Sequence, residues 1–213
     1  MAGGHRNGPG GGAQNRRALA AAGAAVKRYV VALTGASGMI YAREVLAYFG
    51  ARPDLELHVI ASAAARQVLA LELDAALEDV LPAGARLHPE TDFAAPLASG
   101  SFRAQGLVVV PCTMGTLGAI AQGQSLNLIH RAADVFLKER RPVILVVRET
   151  PLNLIHLRNM TAAAEAGAVI FPAMPSFYHR PENLTDLARN FAGRILDHLG
   201  LEHRLTHRWG EEG

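Results

Sequence analysis

From Tyr29 onward, short apolar runs alternate with longer stretches whose apolar residues recur at helical spacing. The runs YVVALT (29–34), LELHVIAS (55–62), LVVVPCT (107–113), PVILVVRE (142–149) and VIFPAM (169–174) read as strands, most of them apolar on both faces. Helical spacing covers 39–49, 63–73, 116–140 in two pieces around Gly123, 153–168 and 184–200. Residues 74–106, punctuated by Pro82, Gly84, Pro89, Pro96 and Gly100, read as irregular. Apolar strands separated by helices predict a parallel sheet covered on both faces. Right-handed crossovers then give an α/β, Rossmann-like, doubly wound sandwich of three layers.

Composition narrows this picture. A chain of 213 residues, 50% hydrophobic but only 6% aromatic, suits one domain with an aliphatic core. Cys112 is the single cysteine, so no disulfide forms within the chain, which fits a reducing, cytoplasmic setting. No apolar run is long enough for a transmembrane helix, and no membrane role is expected. The net charge of +2 is unevenly spread. Residues 1–28 hold five basic residues and no acid, while 16 basic and 19 acidic residues leave 29–213 at −3. The basicity belongs to a Gly- and Ala-rich leader, and a nucleic-acid partner is not expected. Residues 1–28 read as a disordered N-terminal extension, 29–202 as one domain and 203–213 as a C-terminal tail. A transit peptide is the alternative for the leader, but it is neither Ser-rich nor amphipathic. Trp209, in that polar tail, is docked, disordered or covering a neighbouring subunit.

In such a sheet, ligands bind beyond the carboxyl ends of the strands. The first strand delivers Gly35, Ala36, Ser37 and Gly38, small residues with helix amides behind them that attract an anion. Ser37 could instead simply cap that helix. The second strand delivers Ser62, the third Thr113, Met114, Gly115 and Thr116, the next Arg148 and Glu149, and the last Pro172 to Tyr178. Hydroxyls, amides, an arginine and a carboxylate together predict a pocket for a phosphorylated ligand. A dinucleotide fits less well, because Tyr41 stands where the fingerprint wants a glycine and the second strand ends in Ser62 rather than an acid. Arg148 ends a buried strand, where a planar fork suits phosphate. Glu149 beside it could transfer a proton. Arg131 and Lys138 lie two turns apart on one helix and Arg194 on the last; each alone also reads as a solvated charge. Cys112 reads as core, and the nine histidines lack metal-ligand spacing, so no metal site is expected.

With TGASG (34–38), Ser62, Glu72, PCTMGTLGAIA (111–121), NLIHRAADVFLKERRPVILVVRETP (127–151), IHLRNM (155–160), GAVIFPAMPSFYH (167–179) and RWGE (208–211), the chain resembles the flavin prenyltransferases, the UbiX family, in the same order over residues 28–211. The resemblance implies a three-layer flavoprotein fold and a reaction between reduced FMN and dimethylallyl phosphate. A dimethylallyl unit joins N5 and C6 of the flavin, phosphate leaves, and the prenylated FMN serves UbiD-type decarboxylases. It also implies that Gly35, Ala36, Ser37, Ser62, Thr113, Met114, Gly115, Thr116 and Arg148 hold FMN. Tyr178, Arg194, Lys138 and Arg131 would hold the prenyl phosphate. Glu149 would move protons with Ser37 assisting, and Glu72 would face the site. A homo-oligomer, commonly a dodecamer, is implied, with FMN at subunit contacts.

Thr113 departs from the usual Ser after Pro-Cys, adding a methyl beside the flavin. The competing readings are a flavin-dependent cysteine decarboxylase and a non-catalytic flavin carrier. The decarboxylases carry an Asn- and Trp-bearing segment where this chain reads PAMPSFYH. Glu149, Lys138 and Tyr178 argue against a mere carrier.

Overall fold

A computed structural model describes residues 26–208 and Gly210. Nearly all of the expected N-terminal extension, and Trp209, lie outside the described residues. Among the described residues there are six strands, β1 (Lys27–Leu33), β2 (Leu55–Ala61), β3 (Arg86–Pro89), β4 (Gly106–Cys112), β5 (Val143–Val147) and β6 (Val169–Ile170). Seven helices accompany them: α1 (Met39–Gly50), α2 (Ala63–Leu73), α3 (Leu77–Val80), α4 (Met114–Ala121), α5 (Leu128–Lys138), α6 (Leu154–Glu165) and α7 (Leu184–His198). All neighbouring strands pair in parallel, in the order β3-β2-β1-β4-β5-β6. This is the doubly wound arrangement, and the strand order reverses between β1 and β4.

Side chains on β1 alternate between two cores. Tyr29, Val31 and Leu33 join α1, α2 and α7 on one face; Val30 and Ala32 join α4, α5 and α6 on the other. Each strand of the central four is buried along nearly its whole length, which is why these read as continuous apolar runs. Cys112 is fully buried, and burial pushes its thiol pKa up, in keeping with a packing role.

Two stretches differ from the expectation. Within 74–106 the chain forms α3, β3 and a short 3₁₀ turn at Pro96–Ala98. β3 is four residues at the sheet edge, largely exposed, and ends in proline, so it carries no apolar run. At the other edge, ladder-like bonds to β5 continue past β6, from Phe171 N–H to the Leu145 carbonyl (2.9 Å) and from Ala173 N–H to that of Val147 (2.9 Å).

Candidate active site

The carboxyl ends of β1, β4 and β5 enclose a cleft of about 190 Å³ lined by Gly35, Ala36, Ser37, Thr113, Arg148 and Glu149. Six of the residues singled out in the sequence thus converge at the switch point of the sheet. Thr34, which sequence reasoning passed over, fastens this junction. Its buried hydroxyl donates to the Pro111 carbonyl (2.7 Å) and accepts the Thr113 amide (2.9 Å). Pro111 has no N–H to give, and the β4–β5 register shifts between Val109 and Cys112. Thr34→Val keeps the shape but strands the Thr113 amide. It should destabilise the fold by about 1–2 kcal/mol, read as a lower denaturation midpoint at unchanged slope.

The Gly35–Gly38 turn works differently from a simple anion nest. The N-cap of α1 is Gly38, in the left-handed region (φ 107°), and not Ser37. The amides of Gly38 and Met39 donate to the Glu72 carboxylate, at 2.9 and 2.8 Å. Glu72, arriving from the end of α2, therefore already occupies the positive end of α1. Burial opposes its charge, but the Ser37 hydroxyl, the Met39 and Gly38 amides and the Arg148 charge outweigh that and hold its pKa below the usual carboxylate value. Ser37 is thereby oriented by Glu72 at the mouth of the cleft. Tyr41 packs its ring 4.5 Å from that of Phe191, and burial raises its pKa while Arg148 pulls it down.

Gly35 answers to packing. A Cβ there would lie 2.5 Å from Ala64 Cβ and 3.2 Å from the Ala64 carbonyl carbon, so α2 is seated directly on this glycine. Ser62, just before α2, accepts the Ala65 amide (3.0 Å), and Thr113 accepts that of Thr116 (3.1 Å). Both hydroxyls are helix caps. Met114 and Gly115 form the first turn of α4, whose leading amides have no partner within the helix. Glu149 is exposed, and its carboxylate accepts the Thr150 amide (3.0 Å).

The other charged residues stand apart within one chain. Tyr178 and Arg194 line a separate cavity of about 700 Å³ between the β6 edge and α7. Arg131 donates to the Ala98 carbonyl (3.1 Å) and pairs with Asp134 (2.8 Å). Lys138 pairs with Glu139 (2.7 Å) at the far end of α5.

Known proteins fit this arrangement. The flavoprotein family model matches residues 22–189. The flavin prenyltransferase UbiX of Escherichia coli K12 is 47% identical over 186 residues, covering 86% of this chain and 98% of its own. The crystal structure of AnUbiX (PadA1) in complex with FMN and dimethylallyl pyrophosphate superimposes with a TM-score of 0.84 at 44% identity, over 89% of this chain and all of that one. A dodecameric FMN-dependent UbiX-like decarboxylase from Escherichia coli O157:H7 gives 0.83 at 40% identity, over 86% of this chain and all of that one. Matched over nearly the full length of these relatives, the chain belongs to the flavin prenyltransferase (UbiX) family of flavoproteins.

Proposed function

We propose that this protein transfers a dimethylallyl group from dimethylallyl phosphate to N5 and C6 of reduced FMN, giving prenylated FMN for UbiD-type decarboxylases. The observation that carries the reading is the cleft at the switch point, where small residues, a hydroxyl, a guanidinium and a carboxylate meet. Its residues fit FMN. Gly35 and Ala36 line the cleft with small residues, Ser37 and the first turn of α4 offer donors, and Arg148 offers a planar cation. The flavin, when bound, supplies the electron-rich ring that takes the five-carbon unit.

The chain's own residues do the rest. Arg148 and the α4 amides hold an anionic group, with Ser62, Thr113 and Thr116 shaping the wall. Ser37, kept in place by Glu72, orients a hydroxyl toward the ligand. Glu149 exchanges protons with the reacting pair. Breaking an allylic C–O bond builds negative charge on the departing phosphate, so cations and a proton donor lower the barrier. Tyr178, Arg194, Arg131 and Lys138 supply those cations and a hydroxyl. They meet one site only if neighbouring copies contribute them, which supports a homo-oligomer and, by similarity to the bacterial relative, a dodecamer. A monomer in light scattering would contradict this.

The direct test is anaerobic incubation with reduced FMN and dimethylallyl phosphate. We expect release of inorganic phosphate and a flavin heavier by one five-carbon unit in mass spectrometry. An unchanged flavin mass with bound FMN would overturn the reading.

A further inference from the structure

The edge strand β3 has little apolar surface to bury, but it delivers a carboxylate to the rim of the sheet. Its last residue, Pro89, lies opposite Ala61 in register, so Glu90 falls beside Ser62 and the start of α2. One carboxylate oxygen of Glu90 accepts the Ala63 amide at 2.8 Å. The other accepts from the Asn127 side-chain amide at 3.4 Å, and the Glu90 carbonyl accepts the Leu128 amide at 2.7 Å. Asn127 is the N-cap of α5, and its side-chain oxygen takes the His130 amide (3.0 Å). A single residue therefore joins the N-terminal ends of two helices that pack on opposite faces of the sheet.

The first turn of α2 is fixed at several points. Ser62 donates its amide to the Leu33 carbonyl (3.0 Å) and accepts the Ala65 amide on its hydroxyl (3.0 Å). Ala64 is seated on Gly35. Glu90 adds the hold on the Ala63 amide, an early helix donor with no partner inside the helix. Its negative charge also suits the positive end of α2. Among the described residues the Glu90 carboxylate forms no ion pair. Arg66, which shares with it the wall of a cavity of about 420 Å³, pairs with Glu78 (2.8 Å). Both oxygens of Glu90 are spent on the ends of helices, and neither on a cation.

We propose that Glu90 is a positioning residue for flavin binding: it fixes the first turn of α2, and with it the Ser62 hydroxyl, by tying that turn to the cap of α5. This rests on the reading of Ser62 as part of the flavin wall. Glu90 touches neither FMN nor the prenyl donor, so its effect falls on flavin affinity and not on the chemical step.

The experiment titrates the full chain with FMN, followed by flavin fluorescence, alongside anaerobic steady-state kinetics. Thermal melts of each flavin-free variant confirm that folded proteins are compared. Glu90→Ala leaves the Ala63 and Asn127 amides without their acceptor and should raise the Kd for FMN about fivefold, the worth of one hydrogen bond, with kcat at saturating FMN unchanged. Glu90→Gln keeps a carbonyl for the Ala63 amide and should return the Kd to within about twofold of the parent. In a Ser62→Ala background, Glu90→Ala should add no further loss, because the hydroxyl it positions is gone. A parent-like Kd in Glu90→Ala, with Ser62→Ala weakened, would overturn the role of Glu90 alone. A parent-like Kd in Ser62→Ala would overturn the place of Ser62 in the flavin wall, and the proposal with it. Independent, multiplying losses in the double variant, or no recovery with glutamine, would make Glu90 a general support of the fold and overturn the proposal.

Discussion

Glu149→Gln is expected to slow prenyl transfer by about 10²–10⁴-fold while FMN still binds. The substitution is nearly isosteric. A glutamine carbonyl can still accept the Thr150 amide that the carboxylate now takes at 3.0 Å, so the loop after β5 keeps its shape. Arg148 keeps its backbone bond to the Cys112 carbonyl (3.1 Å), so the cation beside the site is not displaced. What glutamine lacks is a proton that it can give and recover. The measurement is single-turnover formation of the heavier flavin by rapid quench, alongside FMN titration. Loss of FMN binding would make Glu149 a binding group. Parent turnover with intact binding would remove it from the proton inventory.

The central layers were readable because burial on both faces forces uniform apolarity on β1, β2, β4 and β5. β3 was not, because an exposed four-residue edge strand has no core face to declare. In the site, the hydroxyls at the strand ends were visible, but their local work was not. Ser62 and Thr113 cap helices, while Ser37, which looked like a cap, is held by Glu72. Glu72 meets the α1 amides across a separation of 34 residues, a distance over which spacing carries no signal. Helical spacing correctly placed Arg131 and Lys138 on one helix. The seven-residue step from Arg131 carries Lys138 about 10 Å along an axis running away from the strand ends, however, and one chain alone cannot bring it back. The likeness to the prenyltransferases supplied these residues as a set; their separation in space is what argues for several copies around each site.

Gly35 shows how far a motif can mislead about its own cause. A glycine at the end of the first strand invites the explanation that a ligand must approach the backbone. The nearest obstacle to a side chain is instead the protein, with Ala64 Cβ at 2.5 Å and the Ala64 carbonyl carbon at 3.2 Å. Backbone cannot rotate away as a side chain can, so Gly35→Val must push the first turn of α2 off the sheet. Overpacking of this kind costs about 3 kcal/mol, at the upper end of its usual range. For a domain of this size that lowers Tm by roughly 6–12 °C. The loss should be present in full in protein without flavin, where a ligand-clearance role predicts no change. Because Ser62 caps α2, the same displacement moves a hydroxyl of the proposed flavin wall and should weaken FMN binding as well. Calorimetry of the flavin-free protein decides between the causes: a parent-like Tm with weakened FMN binding would return Gly35 to the ligand.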